Sequence, residues 1–344
     1  MTQPAKEFIN PRATHHFQCR TCSIAAVGSY LPARVLSNAE LEKMVDTSDD
    51  WITSRTGIKE RRIAAKQEHT SDLAAKAALV AMERARVTPD EIDLIVVATI
   101  TPDMPFPSTA CGVQRKIAAS RAVAFDVEAA CSGFIFALEI GQQFVMTHTY
   151  DTVLVIGAEK LSTITNWEDR NTCVLFGDGA GAAILRHRPN AHGILTTCLC
   201  SDGNKGDLIS MPGGGSQSPA SLQTIAARMH FLRMNGKEAY KSAVNAMCGA
   251  AKEALRRCQT DISHIKCVIP HQANRRIVDA VAERLGTTPE QVFTNLEKYG
   301  NTSAASVAIA LDEAVQEGRI QRGDLILLIA FGSGLTWAAA VIEW

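Results

Sequence analysis

A chain of 344 residues with 46% hydrophobic and 21% charged residues carries enough apolar material for a large core, as two domains or one large one. Lys and Arg number 35 and Asp and Glu 36, so the formal net charge of −1 creates no global field for nucleic acid or an anionic membrane, and an acidic partner needs a local basic patch. No segment reaches the roughly 18 uninterrupted apolar residues of a membrane span, and the first residues lack a signal peptide's apolar centre, so the expectation is a cytoplasmic protein.

In chain order, residues 1–20 read as a flexible extension. Cys19 and Cys22 have C-x-x-C spacing with His15 and His16 upstream, but zinc needs a second ligand pair, and Cys22 opens the apolar run "CSIAAVGSYLP". No metal site is expected there. The ten cysteines lack framework spacing and suit reduced, mostly buried thiols. "ALVAMERARVTPDEIDLIVVATIT" (78–101) then gives an amphipathic helix, a polar turn and a short apolar strand. "CGAAKEALRRCQTDISHIKCVIPH" (248–271) repeats it at an offset of 170, placing Ala81, Glu83, Ile92 and Ile95 on Ala251, Glu253, Ile262 and Ile265.

The same offset carries Cys131 onto Asn301, each ahead of a small apolar helix and a buried strand, "DTVLVIGAEK" or "DLILLIAFGSG". Strands without polar alternation imply mostly parallel sheets covered on both faces. The predicted fold is α/β: duplicated βαβαβαββ halves, residues 21–187 and 236–344, layered as α/β/α/β/α. Residues 188–235, with "MPGGGSQSP", read as a loop-rich insertion between them. "FGDGAGAA" offers Gly177, Gly179 and Ala182 in G-x-G-x-x-A spacing, but Pro189 follows too soon for a βαβ unit; a tight hairpin turn is expected, and no NAD.

Three residues invite chemistry. Cys131, in "DVEAACSGFIFALEIG", sits where a helix begins, so the dipole favours a thiolate and lowers its pKa; the plain alternative is a buried small hydrophobe. His271 ends the strand of "IKCVIPHQAN", and Asn301 lies in "YGNTSAAS"; their plain readings are a structural histidine and a helix N-cap. The repeat puts all three at the same end of their elements, where open α/β sheets bind ligands. Cys, His and Asn supply an activated thiol and two hydrogen-bonding groups for developing negative charge. A papain-like protease uses the same trio, but "AACSGF" within a duplicated α/β unit departs from the C-G-S-C-[WY] context of that family.

"WITSRTGIKERRIA", "FDVEAACSGF", "FGDGAGAAIL", "HQANRRI", "YGNTSAAS" and the terminal "AFGSGLTWAAAVIEW" together resemble the β-ketoacyl-acyl carrier protein synthase III family of the thiolase fold, from about residue 21 to the end. The resemblance implies decarboxylative condensation of an acyl-CoA, commonly acetyl-CoA, with malonyl-acyl carrier protein. Cys131 would be the acylated nucleophile, with His271 and Asn301 donating to the enolate oxygen. The backbone N–H groups of Cys131 and Ser333 would form the oxyanion hole. It further implies CoA contacts at Trp51, Arg55, Thr56 and Arg170, and a bulky Phe106 closing the acyl pocket of the partner subunit in a homodimer. Carrier-protein docking falls to Gln272, Ala273, Asn274, Arg275 and Arg276. Acyl-CoA is then a substrate, and neither cofactor nor metal is implied. Lys237, in "MNGK", replaces the family's usual asparagine. Related condensing enzymes that use acyl-CoA throughout, and a non-catalytic scaffold, are the competing classes.

Overall fold

The computed structural model describes residues 20–189 and 193–344. Cys19, His15 and His16 lie outside the described residues; Cys22 is a buried free thiol that burial pushes up to about 12. A first sheet runs in spatial order Ser23–Tyr30, Asp178–Arg186, Thr152–Lys160, Leu94–Ala98 and Val123–Val127. A second runs Cys267–Pro270, Leu325–Gly332, Thr336–Glu343 and Ile194–Ser201.

Two helices, Gly133–Met146 and Ala305–Gln316, lie between the sheets and share one core with both. The second of them is buried along nearly its whole length and mostly apolar, with its buried Asp312 paired to Arg84. Outside the first sheet pack Thr70–Ala85 and Thr109–Lys116; outside the second pack Gly236–Arg257 and Arg275–Leu285. The result is the five-layer α/β/α/β/α stack. Among the described residues, no helix is long and apolar enough to cross a membrane.

Both sheets are mixed rather than mostly parallel. The three strands Leu94–Ala98, Val123–Val127 and Thr152–Lys160 pair in parallel, but Asp178–Arg186 runs antiparallel to both of its neighbours. In the second sheet only Cys267–Pro270 and Leu325–Gly332 are parallel. Helices cover both faces whichever way a strand runs, so an unbroken apolar pattern reports burial and not direction.

The segment 188–235 is likewise more than a loop-rich insertion. Ile194–Ser201 is the edge strand of the second sheet, paired with Thr336–Glu343. "FGDGAGAA" forms no hairpin turn, because Asp178–Arg186 is an extended strand inside the first sheet. Its glycines let a helix come close. A Cβ on Gly181 would lie 2.5 Å from Ala308 Cβ, and one on Gly157 in the next strand 2.3 Å from the Ala304 carbonyl oxygen.

The duplication is real, but its register is 173 rather than 170. Arg86 and Gln259, which follow corresponding helices, have φ of 54° and 52°; Ala130 and Ser303, which precede the central helices, have 46° and 47°. The short 3-10 turns Pro89–Glu91 and Ile262–His264 stand at the same separation. A slip of three residues keeps nearly the same face of a helix, so small apolar residues matched in either register. Asn301 therefore sits three residues before the position that corresponds to Cys131.

Candidate active site

Cys131, His271 and Asn301 line one cavity of about 940 Å³, together with Ser303, Gly332 and Ser333. His271 and Asn301 are buried at its inner end, while the exposed cations Arg55, Lys237 and Arg276 line its outer part. A charged rim leading to a dry interior suits a ligand with a polar head and a reactive tail.

Cys131 lies in the one-turn helix Ala130–Ser132 that feeds Gly133–Met146. Glycine at 332 lets the end of a strand of the second sheet press against it: a Cβ there would be 2.6 Å from Cys131 N. Opposing influences act on the thiol. It is partly open to the cavity yet deep in the molecule, and burial pushes it up to about 12; the Ser303 hydroxyl opposes this and the Glu159 charge adds to it. A helix N-terminus contributes at most about 2 kcal/mol, which moves a pKa by roughly 1.5. Burial thus works against the lowering that the helix N-terminus favours.

His271 follows the strand Cys267–Pro270, with its N–H 2.7 Å from the Ile329 carbonyl. Burial holds its imidazole down to about 3, so the ring is neutral. Ser306 Oγ lies 2.5 Å from Nδ1 and accepts from Gln272 N at 3.4 Å. The hydroxyl keeps a second lone pair, so it can meet Nδ1 as donor or acceptor; in the tautomer where it donates, the ring proton is on Nε2. Asn301 is held by its backbone: its N–H donates to Leu175 O at 2.8 Å and its carbonyl accepts from Gly177 N at 3.0 Å. Its Oδ1 accepts from Ser303 N at 2.8 Å, so the Nδ2 amino group is the end left to donate.

Trp51 and Arg55 ride on the helix Asp49–Thr56, capped by the Ser48 side chain. The guanidinium carbons of Arg55 and Arg170 lie 5.0 and 4.5 Å from the Trp51 ring centroid. The structure thus clusters these three, although Arg170 does not line the cavity and also bonds Asp46 O at 2.5 Å. Thr56 lines the cavity beside Trp51 and Arg55, and its hydroxyl donates to Ile52 O at 2.7 Å and accepts from Ile58 N at 3.0 Å, closing its own helix.

Gln272 is displaced from its expected place on a docking face. It is 1% exposed, and its amide braces Pro270 O, Phe293 O and Asn295 N. Asn274 caps the helix Arg275–Leu285 through Arg276 N and bonds Arg55 O at 3.2 Å, joining that helix to the Trp51 helix. Arg275, paired with Asp279, and Arg276 remain exposed, and Ala273 is half-buried between them and His271. Phe106 is 84% exposed and absent from the cavity wall of its own chain. Among the described residues, no three His, Cys, Asp or Glu side chains gather to hold a metal ion.

Sequence reasoning missed Glu159, Ser303 and Ser306. The two serines stand within "YGNTSAAS", and Glu159 is the single carboxylate in the strand Thr152–Lys160. A charge inside a wholly buried strand was the available signal.

Known proteins resemble this chain in sequence and in fold. The family model for 3-oxoacyl-[acyl-carrier-protein] synthase III matches residues 125–203, and that for its C-terminal part matches 255–344. A β-ketoacyl-[acyl-carrier-protein] synthase III of Caldanaerobacter subterraneus subsp. tengcongensis is 56% identical over 321 residues, 93% of this chain and 97% of the relative. The crystal structure of 3-oxoacyl-[acyl-carrier-protein] synthase III from Aquifex aeolicus VF5 superposes with a TM-score of 0.87 at 48% identity, covering 94% of this chain and 100% of the other. The priming β-ketosynthase of the R1128 polyketide pathway gives a TM-score of 0.90 at 35% identity, over 96% and 98%. This chain belongs to the 3-oxoacyl-[acyl-carrier-protein] synthase III family.

Proposed function

We propose that this acyltransferase starts fatty-acid synthesis in the cytoplasm by condensing an acyl-CoA with malonyl-acyl carrier protein at Cys131. The observation that carries the reading is the convergence of the Cys131 thiol, the His271 imidazole and the Asn301 amide on a single cavity, with His271 donating through Nε2–H and Asn301 through Nδ2–H in this reading.

In the first half-reaction Cys131 Sγ attacks the acyl carbonyl, and the N–H groups of Cys131 and Ser333 receive the oxyanion. The close approach of Gly332 to Cys131 N supports that pairing. In the second, malonyl-acyl carrier protein loses carbon dioxide, and the enolate oxygen so formed accepts from His271 and Asn301. The carbanion then attacks the acyl group on Cys131. Donors aimed at charge that exists only in the transition state are each worth about 3 kcal/mol in a water-excluded site. A neutral imidazole suits donation, because its proton stays put at every ordinary pH.

Trp51, Arg55 and Arg170 would take the nucleotide end of CoA, with stacking and charge-assisted bonds. Arg275 and Arg276 would meet the acidic carrier protein; a chain of net charge −1 needs such a local patch. The exposed ring of Phe106 fits a homodimer in which it closes the partner's acyl pocket. The test is incubation with labelled acetyl-CoA followed by peptide mass spectrometry. The label is expected on Cys131 and absent in Cys131→Ala; label elsewhere, or none, overturns the reading. Malonyl-CoA replacing malonyl-acyl carrier protein without loss of rate would instead point to an enzyme that uses acyl-CoA throughout.

A further inference from the structure

Among the described residues, the largest fully buried side chain belongs to a cation in no ion pair. Arg61, in the strand Glu60–Ile63, is 0% exposed. Its hydrogen bonds go to neutral oxygens: Nη1 donates to Leu36 O at 3.2 Å and Asn38 Oδ1 at 2.8 Å, and Nη2 donates to Val174 O at 2.7 Å. Its Nε has no partner among the described residues. Burial lowers its pKa to about 10, so it keeps its charge at ordinary pH. Stability alone does not account for such a residue. A buried guanidinium without a carboxylate gives up its hydration for less than a well-packed apolar side chain gains. What the planar fork supplies is a rigid tie between groups far apart in the chain.

One end of the tie is the footing of the Trp51 helix. Asn38 donates through Nδ2 to Asp49 Oδ1 at 2.7 Å, at the start of the helix Asp49–Thr56, and to Ile58 O at 2.8 Å, just beyond its end. The other end is Val174. The residues that follow it hold Asn301, through Leu175 O and Gly177 N on either side of its peptide. The stem of Arg61 packs against the same join: a Cβ on Gly177 would lie 3.1 Å from Arg61 Cβ, and one on Gly300 3.4 Å from it. Arg61 itself does not line the cavity, whereas Val174, Leu175, Phe176 and Asn301 do.

We propose that Arg61 is a positioning residue for condensation, fixing the strip 174–177 and thereby setting where the Asn301 amide stands. The proposal rests on the condensing reading above and deepens it. A donor serves developing charge only when held within about 0.5 Å of its productive place. The Asn301 backbone is bonded to a strip that Arg61 bonds in turn, so losing the Nη2–H bond to Val174 O loosens the support of the amide. Cys131 is seated by other segments, its own helix and the strand end at Gly332, so acetyl transfer has no such dependence.

The experiment is a double-mutant cycle read on two steps: acetyl transfer from acetyl-CoA to Cys131, and condensation of the acetylated protein with malonyl-acyl carrier protein. Arg61→Met, apolar and of similar reach, is expected to slow condensation by roughly 10- to 10²-fold and to leave acetyl transfer within about threefold of the unaltered rate. Arg61→Lys keeps the charge without the fork and should slow the same step less; it carries the test if Arg61→Met does not fold. In the Asn301→Ala background either substitution should cost less than about threefold more, because the amide it places is gone. A merely structural Arg61 would slow both steps together and multiply with Asn301→Ala; either result overturns the assignment. Condensation within about threefold of the unaltered rate in the folded Arg61 variants overturns it too. If the unaltered protein forms no acetyl-Cys131 at all, the condensing reading falls and the assignment with it.

Discussion

Ala130 and Ser303 occupy corresponding turns of the two halves, with φ of 46° and 47°, and each turn delivers the chain into one of the two central helices. The side chains around these turns have diverged. In the first half the next residue is Cys131, facing the cavity as a thiol. In the second half Ser303 itself carries the reaching hydroxyl, and Asn301 is placed two residues earlier, its amide held by Ser303 N. Duplication supplied two similar helix starts against one cavity; divergence left one of them with a thiol and the other with hydrogen-bonding side chains. Asn301 is therefore no positional twin of Cys131, and the two should fail differently.

Removing a donor from the second half tests that division with the largest effect. His271→Ala and Asn301→Ala are each expected to lower condensation with malonyl-acyl carrier protein by about 10²–10³-fold. Labelled acetyl should still reach Cys131 in both variants. Equal loss of acetyl transfer and condensation would show that the halves do not divide the work. A smaller effect is expected at the rim, where Arg276→Glu reverses one exposed charge of the helix Arg275–Leu285. Carrier-dependent turnover should fall by roughly tenfold, more at low salt than at high, and more than self-acylation by acyl-CoA. An identical change in both steps would remove Arg276 from carrier docking.

The smallest expected effect is on stability. His271 has its pKa lowered to about 3, below the ordinary 6.5, so the unfolded chain binds its proton first. The contribution of the neutral ring is complete above about 6.5 and is lost as pH falls towards 3. Glu159 works in the opposite sense: raised to about 7, it favours the folded state fully below its ordinary 4.5 and loses that advantage as pH rises through 7. Melting curves at pH 7 and pH 5 should therefore show the unaltered protein losing a few degrees more on acidification than His271→Gln does. Parallel losses in the two proteins would mean that His271 gains its proton without disturbing the fold.

Much of this was legible beforehand. The layered α/β stack follows from helix-length amphipathic segments alternating with short apolar runs, and the Cys131, His271 and Asn301 trio follows from residue type at the ends of those runs. Strand direction was not legible, since burial on both faces erases the alternation that would betray it. The edge strand Ile194–Ser201 was hidden by the glycine- and proline-rich stretch that follows it. Gln272 looked like a surface contact because sequence records that a side chain is polar and not which backbone groups it meets.

The order of elements, the duplicated plan and the candidate reacting groups were legible in the amino-acid sequence, because periodicity and residue chemistry are local properties. Tertiary structure alone decided the ionisation of those groups. Burial pushes Cys131 up to about 12 and Glu159 up to about 7 because segments far apart in the chain close over both, and the energy of a charge depends on everything that excludes water around it.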